Sequence, residues 1–540
     1  MKIVQVYPKL SGGLERYINN LTYELVEAEE GIQFYNFVVY FKGQHKNENV
    51  GHSPRINYTS IEVDRGMQIE FSPLMDCINP NLEKAFSSFL DKIEPDIVHF
   101  QHIYGLSASL IGVAKEKGIK IVFTVHDYWT ICPRLFLLDG DLMLCEGPNL
   151  GAKCFRCTIN EIEYSNHSLL SSFLLRYQFM KNMLQEKVDV IVAVSKMVKS
   201  KLVEENIPEK KIVVSYPSVA VGERLAKKKK ANITFGFIGN LNVHKGPHVL
   251  ISAFNRIESN NKELHFYGSA NPLYNATIKQ LAKDNKKIIF HGAYDKQSLP
   301  SIFANIDVLV VPSICMETGP LVVQEALKHN VPVIASNIGS IPEYVKGEYG
   351  KLFEAGNIDE LESIMKFIIS SPQILERWRN AIPKLADVQD FVNESYSIYS
   401  RLLEGEKENK VKINKQHLEV LNKSDYAFLR QFSVPNQLKN VVRMLFEKGY
   451  LHIGIFGAGE LGEKIFQYVQ QRGIRVKAFI DNDKTKWSRT CAEIPIISPA
   501  DISLFQMSAI LVASDWEMEI LKQLDDLNLG IPIIGLYSFS

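Results

Sequence analysis

Apolar and polar positions alternate along the chain with two periods. Lys2–Tyr7 is a short apolar run of strand type, and Ser11–Gly13 is a loop. From Leu14 the spacing changes, and Leu14, Tyr17, Ile18, Leu21 and Leu25 share one face of a helix over Leu14–Glu29. Ile97–Gln101, Ile119–Val125, Val188–Val194 and Lys211–Tyr216 are further Val- and Ile-rich strands. A second series interleaves strand-like and helix-like runs: Ile233–Ile238, His248–Ile257, Leu264–Tyr267, Ile288–Phe290, Val308–Val311 and Val331–Ala335. His452–Phe456 opens a third. Strands separated by helices predict parallel, doubly wound α/β sheets. The pattern breaks near 218–230, where the basic run Lys227–Lys230 reads as a solvated inter-domain loop, and again at the charged stretch Glu404–Lys410. The expected division is 1–220, 221–403, a linker with helices at 404–440, and a small domain at 441–540.

Composition narrows the function classes. The 540 residues exceed one domain. Lys+Arg and Asp+Glu are both 61, so the net charge is 0, which argues against a nucleic-acid binder. Hydrophobic residues at 46% are ordinary globular usage. Seven cysteines in this length make no disulfide scaffold. No apolar run is long enough to span a bilayer, and the N-terminus does not read as a signal peptide. The expectation is a cytoplasmic protein. His167–Met180 carries an apolar excess that suits either core or a peripheral contact at the inner face of a membrane near a lipid-linked acceptor.

The most informative chemistry follows the strand Asp307–Val311. Pro312 and Ser313 lead into Met316-Glu317-Thr318-Gly319-Pro320-Leu321-Val322-Val323-Gln324-Glu325-Ala326. Gly319 and Pro320 predict a helix start, with Pro320 at the first helical position. The bare amides that follow, at the positive end of the helix dipole, suit a diphosphate. Ligands of such sheets bind outside the carboxyl ends of the strands, where this loop lies. Glu317 and Glu325 bracket the loop, and carboxylates accept hydrogen bonds from vicinal sugar hydroxyls. Taken on spacing alone, the same pair reads equally as a surface cap and an ordinary helix acid.

The surrounding residues make the pattern specific. Glu-x7-Glu, preceded by Asp-Val-x-Val-x-Pro-Ser, resembles the retaining glycosyltransferases of family 4, which have the GT-B fold. Gly12-Gly13 with Glu15, His126-Asp127 after a strand, Gly239 with Lys245-Gly246, and Gly268 and Gly292 at later strand ends occur in that family's order over roughly residues 1–400. The resemblance implies two facing Rossmann-like domains with a cleft between them, and a nucleotide-diphosphate sugar as donor. It implies that Glu325 binds the ribose and Glu317 the donor sugar. Backbone amides around Gly319, Pro320, Leu321 and Val322 would bind phosphate and sugar, and Lys245 would neutralise the diphosphate. Gly12 and Gly13 would let the backbone approach the donor, and His126 would line the sugar. It also implies retention at the anomeric carbon and no catalytic metal. The family usually has Arg where this chain has Asn240, a neutral residue on the donor side. Either Lys245 and the helix dipole suffice, or another cation such as Arg16 or His244 takes part. His102 reads as a structural residue.

Two features lie outside that pattern. Cys132, Cys145, Cys154 and Cys157 have the spacing C-x12-C-x8-C-x2-C, which suits a structural zinc site as well as buried thiols. In the last domain, Gly457-x-Gly459-x-x-Gly462 follows a strand and opens a helix, and the strand Val476–Ile480 ends at Asp481. That is a Rossmann-like nucleotide site, and its context resembles the nucleotide or nucleotide-sugar domains of surface-polysaccharide enzymes. The readings weighed are therefore a glycosyltransferase acting on a glycan or lipid-linked acceptor, an NAD-dependent or nucleotide-sugar-modifying enzyme working through Gly457–Gly462, and a non-catalytic nucleotide-sugar-binding scaffold.

Overall fold

The computed structural model describes residues 1–9, 13–41, 53–63, 77–158, 166–219, 222, 224–227, 232–270, 272–283, 285–408, 441–442, 444–513, 517–527 and 529–535. Seven strands build the first sheet: β1 (Lys2–Pro8), β2 (Gln33–Phe41), β3 (Ile56–Val63), β4 (Ile97–Phe100), β5 (Lys120–Val125), β6 (Val190–Ala193) and β7 (Ile212–Val214). Their order is β3-β2-β1-β4-β5-β6-β7, and every pairing is parallel. Six strands build the second: β8 (Ile233–Ile238), β9 (Lys262–Tyr267), β10 (Ile288–Phe290), β11 (Val308–Val311), β12 (Val333–Ser336) and β13 (Gly350–Phe353). They run β10-β9-β8-β11-β12-β13, also all parallel.

Both sheets reverse strand order beside their first strand, which opens a crevice at the carboxyl ends. Central strands such as β8 and β11 are buried along their whole length, as parallel strands covered by helices on both faces must be. Two strands of the first sheet, β2 and β3, were not among the expected ones. In β3, Asn57, Thr59 and Ser60 break up the apolar positions, so its pattern is weak, whereas β2 ends in the continuous run Phe37–Phe41 and was legible in principle.

The third sheet contains β14 (His452–Phe456), β15 (Arg475–Ile480), β16 (Thr490–Cys491), β17 (Ile494–Ile497), β18 (Ala509–Val512) and β19 (Ile533–Gly535). Its order is β16-β17-β15-β14-β18-β19. It is mixed, because β16 pairs antiparallel with β17.

Packing departs from the expected division in one place. The helix Val388–Glu408 follows the second domain in sequence but returns to the first. Its Phe391, Val392, Ile398 and Tyr399 share a core with Ile3, Tyr17, Ile18 and Leu21. Residues 388–403 thus pack with 1–220 rather than with 221–387. The helix also runs unbroken into the charged stretch from Glu404, whose last two residues, like the linker up to 440, lie outside the described residues. Lys227 is not simply solvated: its ammonium donates to the Phe303 carbonyl at 2.8 Å and to that of Ile306, at the end of the helix Leu299–Asn305. Lys228–Lys230 lie outside the described residues.

The apolar stretch 167–180 forms part of the helix Asn166–Asn182. Phe173, Tyr177, Phe179 and Met180 are buried, so these apolar groups supply core rather than a membrane-facing surface. No helix among the described residues is long and apolar enough to cross a membrane.

Candidate active site between the two domains

The donor loop takes its shape from backbone constraints. Pro320 caps the helix Leu321–Lys328 instead of occupying its first turn as expected. Its φ of −74° suits a helix, but its ψ of 90° turns the chain away. Val323 N–H closes on the Pro320 carbonyl at 3.0 Å, so Leu321 and Val322 present the amides that have no intrahelical acceptor. Behind the loop, Gly339 at φ +57° accepts no side chain, since a Cβ there would lie 2.4 Å from the backbone of Glu317.

Lys245 ends the short turn Val243–Lys245, and Gly246 (φ +70°) then redirects the chain into the helix Pro247–Asn255. Lys245 Nζ contacts both Glu317 oxygens, at 2.7 and 2.9 Å, and Ser313 Oγ donates to Glu317 at 2.6 Å. Burial pushes the Glu317 carboxyl up, but the Lys245 charge and the hydrogen bonds from Lys245 and Ser313 outweigh it, and the group ends below the ordinary range.

These elements enclose a cavity of about 570 Å³. Gly13, Asn240, Lys245, Glu317, Gly319, Pro320, Leu321 and Val322 line it, as does Arg16 from the first turn of the helix Gly13–Ala28. Glu325 lies one turn inside the donor helix, buried, and reaches the cavity through an ion pair with Arg16. Gly12 lies outside the described residues. His244 is stacked on Phe136 of the first domain, with ring centroids 4.1 Å apart.

His126 does not line the cavity. Its carbonyl accepts from Thr318 Oγ1 at 2.6 Å, which joins the first domain to the donor loop. Its ring packs edge-on against Tyr17, with centroids 4.4 Å apart. A buried chain of hydrogen bonds fixes its tautomer. Thr22 Oγ1 donates to the Ile18 carbonyl, so it accepts from Gln5 Nε2 at 2.6 Å. Gln5 Oε1 then accepts from Gln101 Nε2 at 2.7 Å, which turns Gln101 Oε1 toward His126 Nε2 at 3.0 Å. Nε2 therefore carries the proton and Nδ1 the lone pair. Burial, reinforced by His102 and His99, holds this imidazole neutral, well below its ordinary value. His102 is buried and its Nε2 lies 3.2 Å from Asp127, a structural contact at the same turn.

Sequence reasoning brought most of these residues to one loop and one helix, but it missed Gln101 and Thr318. Gln101 had a signal, a polar residue at the end of the apolar strand that precedes it. Thr318 had none, because its partner is on the other domain.

The zinc expected at Cys132, Cys145, Cys154 and Cys157 is not supported. Among the described residues, no three His, Cys, Asp or Glu side chains gather closely enough to hold a metal ion. All seven cysteines are thiols. Burial pushes Cys132 up to about 11 and Cys154 up to about 12, and it raises Cys157. The Cys145 thiol donates to the Gly147 carbonyl at 3.4 Å. In this arrangement the thiols pack as weakly polar groups.

In the third domain the three glycines differ. A Cβ on Gly457 would lie 2.4 Å from the Ala513 carbonyl oxygen, and one on Gly462 would lie 1.9 Å from that of Gly457, whereas Gly459 faces open space. Asp481 accepts from the Ala458 N–H and pairs with Lys486, both at 2.9 Å. The acid thus ties the glycine loop to the end of β15.

Two facing doubly wound domains with a cleft along their carboxyl edges define the GT-B architecture. A family model described as Glycosyltransferase Family 4 matches residues 11–222, and one described as Glycosyl transferases group 1 matches 223–385. A third, C2185-like, N-terminal, matches 449–532. The chain is 26% identical over 275 residues to an uncharacterized 42.6 kDa protein in the cps region of Klebsiella pneumoniae, across 50% of this chain and 65% of that protein. It is 20% identical over 379 residues to a GDP-mannose-dependent monoacylated alpha-(1-6)-phosphatidylinositol monomannoside mannosyltransferase of Corynebacterium glutamicum, across 68% and 87% of the two chains. Among solved structures, Anabaena HepE in complex with UDP and glucose superposes with a TM-score of 0.53 at 16% identity, over 74% of this chain and 99% of that one. The chain spans 65% and 54% of the length of two Klebsiella relatives from the cps region. This chain belongs to glycosyltransferase family 4 and has the GT-B fold, with an added C-terminal domain.

Proposed function

We propose that the protein is a retaining glycosyltransferase that moves a sugar from a nucleoside-diphosphate sugar to a glycan or lipid-linked acceptor in the assembly of a surface polysaccharide or glycoconjugate. One observation carries the reading: the amides of Leu321 and Val322, the Lys245–Glu317 pair and the Arg16–Glu325 pair all meet one inter-domain cavity. The diphosphate sits against the helix start and Lys245. Glu325 takes the ribose hydroxyls, and Glu317, held rigid by Lys245 and Ser313, takes hydroxyls of the sugar. As the glycosidic bond breaks, charge grows on the leaving phosphate, where the fixed amides and Lys245 stabilise it. The acceptor hydroxyl attacks from the same face, and its proton passes to the leaving diphosphate oxygen. His126, neutral and oriented by Gln101, lies behind the cavity wall and supports the donor loop through its carbonyl, which accepts from Thr318. The step as drawn needs no catalytic metal. Two relatives, one from a cps region and one a phosphatidylinositol monomannoside mannosyltransferase, support the acceptor class. The Gly457–Gly462 loop and Asp481 suit a second nucleotide or nucleotide sugar.

The test is transfer or hydrolysis of labelled UDP-, GDP- and ADP-sugars by the full chain. Activity with one donor, lost in Glu325→Ala and Lys245→Ala, is expected. Turnover that survives both substitutions overturns the reading, and so does a glycosyl-enzyme adduct for the same-face step.

A further inference from the structure

Four charged residues line the cavity: Glu15, Arg16, Lys245 and Glu317. Each has a partner in the structure. Glu15 pairs with Lys9 at 2.6 Å, Lys245 with both oxygens of Glu317, and Arg16 with Glu325. A doubly charged diphosphate entering this cavity therefore meets pairs that are already neutral. Lys245 shares its charge with Glu317, which holds it through two contacts. His244, next in the chain, is no substitute. Burial and the adjacent Lys245 hold its imidazole down to about 4, and its ring is occupied by Phe136. Asn240 on the wall is neutral.

Arg16 differs from Lys245 in two respects. It belongs to the other domain, and its partner Glu325 is placed to take a different ligand group, the ribose hydroxyls. Its guanidinium is a quarter exposed, whereas the Glu325 side chain is 4% exposed. The solvent-facing member of the pair is the arginine.

We propose that Arg16 is the second cation of the donor diphosphate, supplied by the first domain, and that donor binding exchanges the Arg16–Glu325 pair for an Arg16–diphosphate contact and a Glu325–ribose contact. A buried carboxylate stripped of its cation is costly unless hydroxyl donors replace it. A guanidinium fork matches phosphate oxygens bidentately. The exchange is thus favourable only for a ligand that brings both ribose and diphosphate. It also makes the donor bridge the two domains, so that cleft closure depends on an intact donor. The inference rests on the reading of the cavity as the donor site.

The experiment is titration calorimetry on the full chain with UDP, GDP and ADP, followed by the corresponding monophosphate of whichever binds. Arg16→Gln is expected to weaken the diphosphate about 10- to 100-fold and the monophosphate by less than about threefold. Adding Asn240→Arg to that variant, which places a cation on the opposite wall, is expected to restore at least about tenfold. Rescue also shows that the variant is folded. A diphosphate-to-monophosphate preference unchanged by Arg16→Gln overturns the inference and leaves the donor-site reading standing. Failure of the unmodified chain to bind any nucleoside diphosphate overturns both.

Discussion

At the scale of single residues, the site depends on groups whose constraints come from far along the chain. Gly246 has φ +70°, and a Cβ there would lie 1.9 Å from the Pro312 carbonyl oxygen. Gly246→Ala is expected to cost at least about 1–2 kcal/mol from the left-handed backbone alone. The collision would also push Lys245 off Glu317. Thermal melting and donor titration check this together, and a variant with unchanged Tm and affinity contradicts it. Gln101→Leu removes the acceptor that fixes the His126 proton on Nε2. The buried N–H then loses its acceptor while the ring stays packed on Tyr17, which is expected to cost about 1–3 kcal/mol and to lower the Tm. Gln101→Glu, which keeps an acceptor in place, is expected to recover part of that stability. Glu317 and Glu325 were legible because they sit in one local pattern with a glycine and a proline between them. The Arg16–Glu325 pair was not, since its members are 309 residues apart. No periodicity reports a contact of that kind.

At the scale of elements, the helix Val388–Glu408 gives the clearest consequence. The two family models end at residue 385, yet this helix completes the core of the first domain. Phe391 is buried and meets Tyr17 edge-on, with centroids 5.1 Å apart. The Tyr399 hydroxyl lies 2.6 Å from His99 Nδ1. Phe391→Ala is expected to cost about 3–5 kcal/mol, mostly in the first domain. A chain ending at 387 is expected to melt well below one ending at 408, although both retain every residue of the cavity. Equal melting temperatures would show that the helix is dispensable. Most strands of both sheets were readable because parallel strands, buried on two faces, are nearly continuous apolar runs, but β2, β3 and β13 were not read. Helix Val388–Glu408 was not read, and its return crossing could not have been. Its apolar stripe states that a partner exists, not which sheet supplies it. The cysteine spacing left two readings open for a related reason. Spacing records which thiols are near in sequence, not whether they gather around one point, and among the described residues they do not.

At the scale of the whole molecule, several contacts join the two domains across the cleft. Among them are the Arg16–Glu325 pair, the Thr318–His126 hydrogen bond, the Phe136–His244 stack, and Glu343, which accepts from the Lys196 and Met197 amides and the Tyr216 hydroxyl. Several histidines near this junction are neutral by design of their surroundings. Burial holds His99 down to about 3, and burial with the Lys245 charge holds His244 down to about 4. His126 is lowered as well, by burial and then by His102 and His99. An unfolded chain protonates these imidazoles near 6.5, while the folded one does not. Below that pH the unfolded state binds more protons, so stability is complete above about 6.5 and is lost as the pH falls toward the folded values. Each fully buried histidine adds a slope of up to about 1.4 kcal/mol per pH unit in that window. Glu317, depressed from 4.5, contributes in the same direction only once the pH drops below that value. Urea melts between pH 7.5 and about 5 should therefore show stability falling steadily below 6.5, well before carboxylates titrate. His99→Gln should be less stable at pH 7.5 but show a shallower decline, because one proton fewer separates the two states. A stability that stays flat from 6.5 to 5 would mean that these imidazoles take up protons in the folded protein, and the closed contact between Phe136 and a neutral His244 would then have to open.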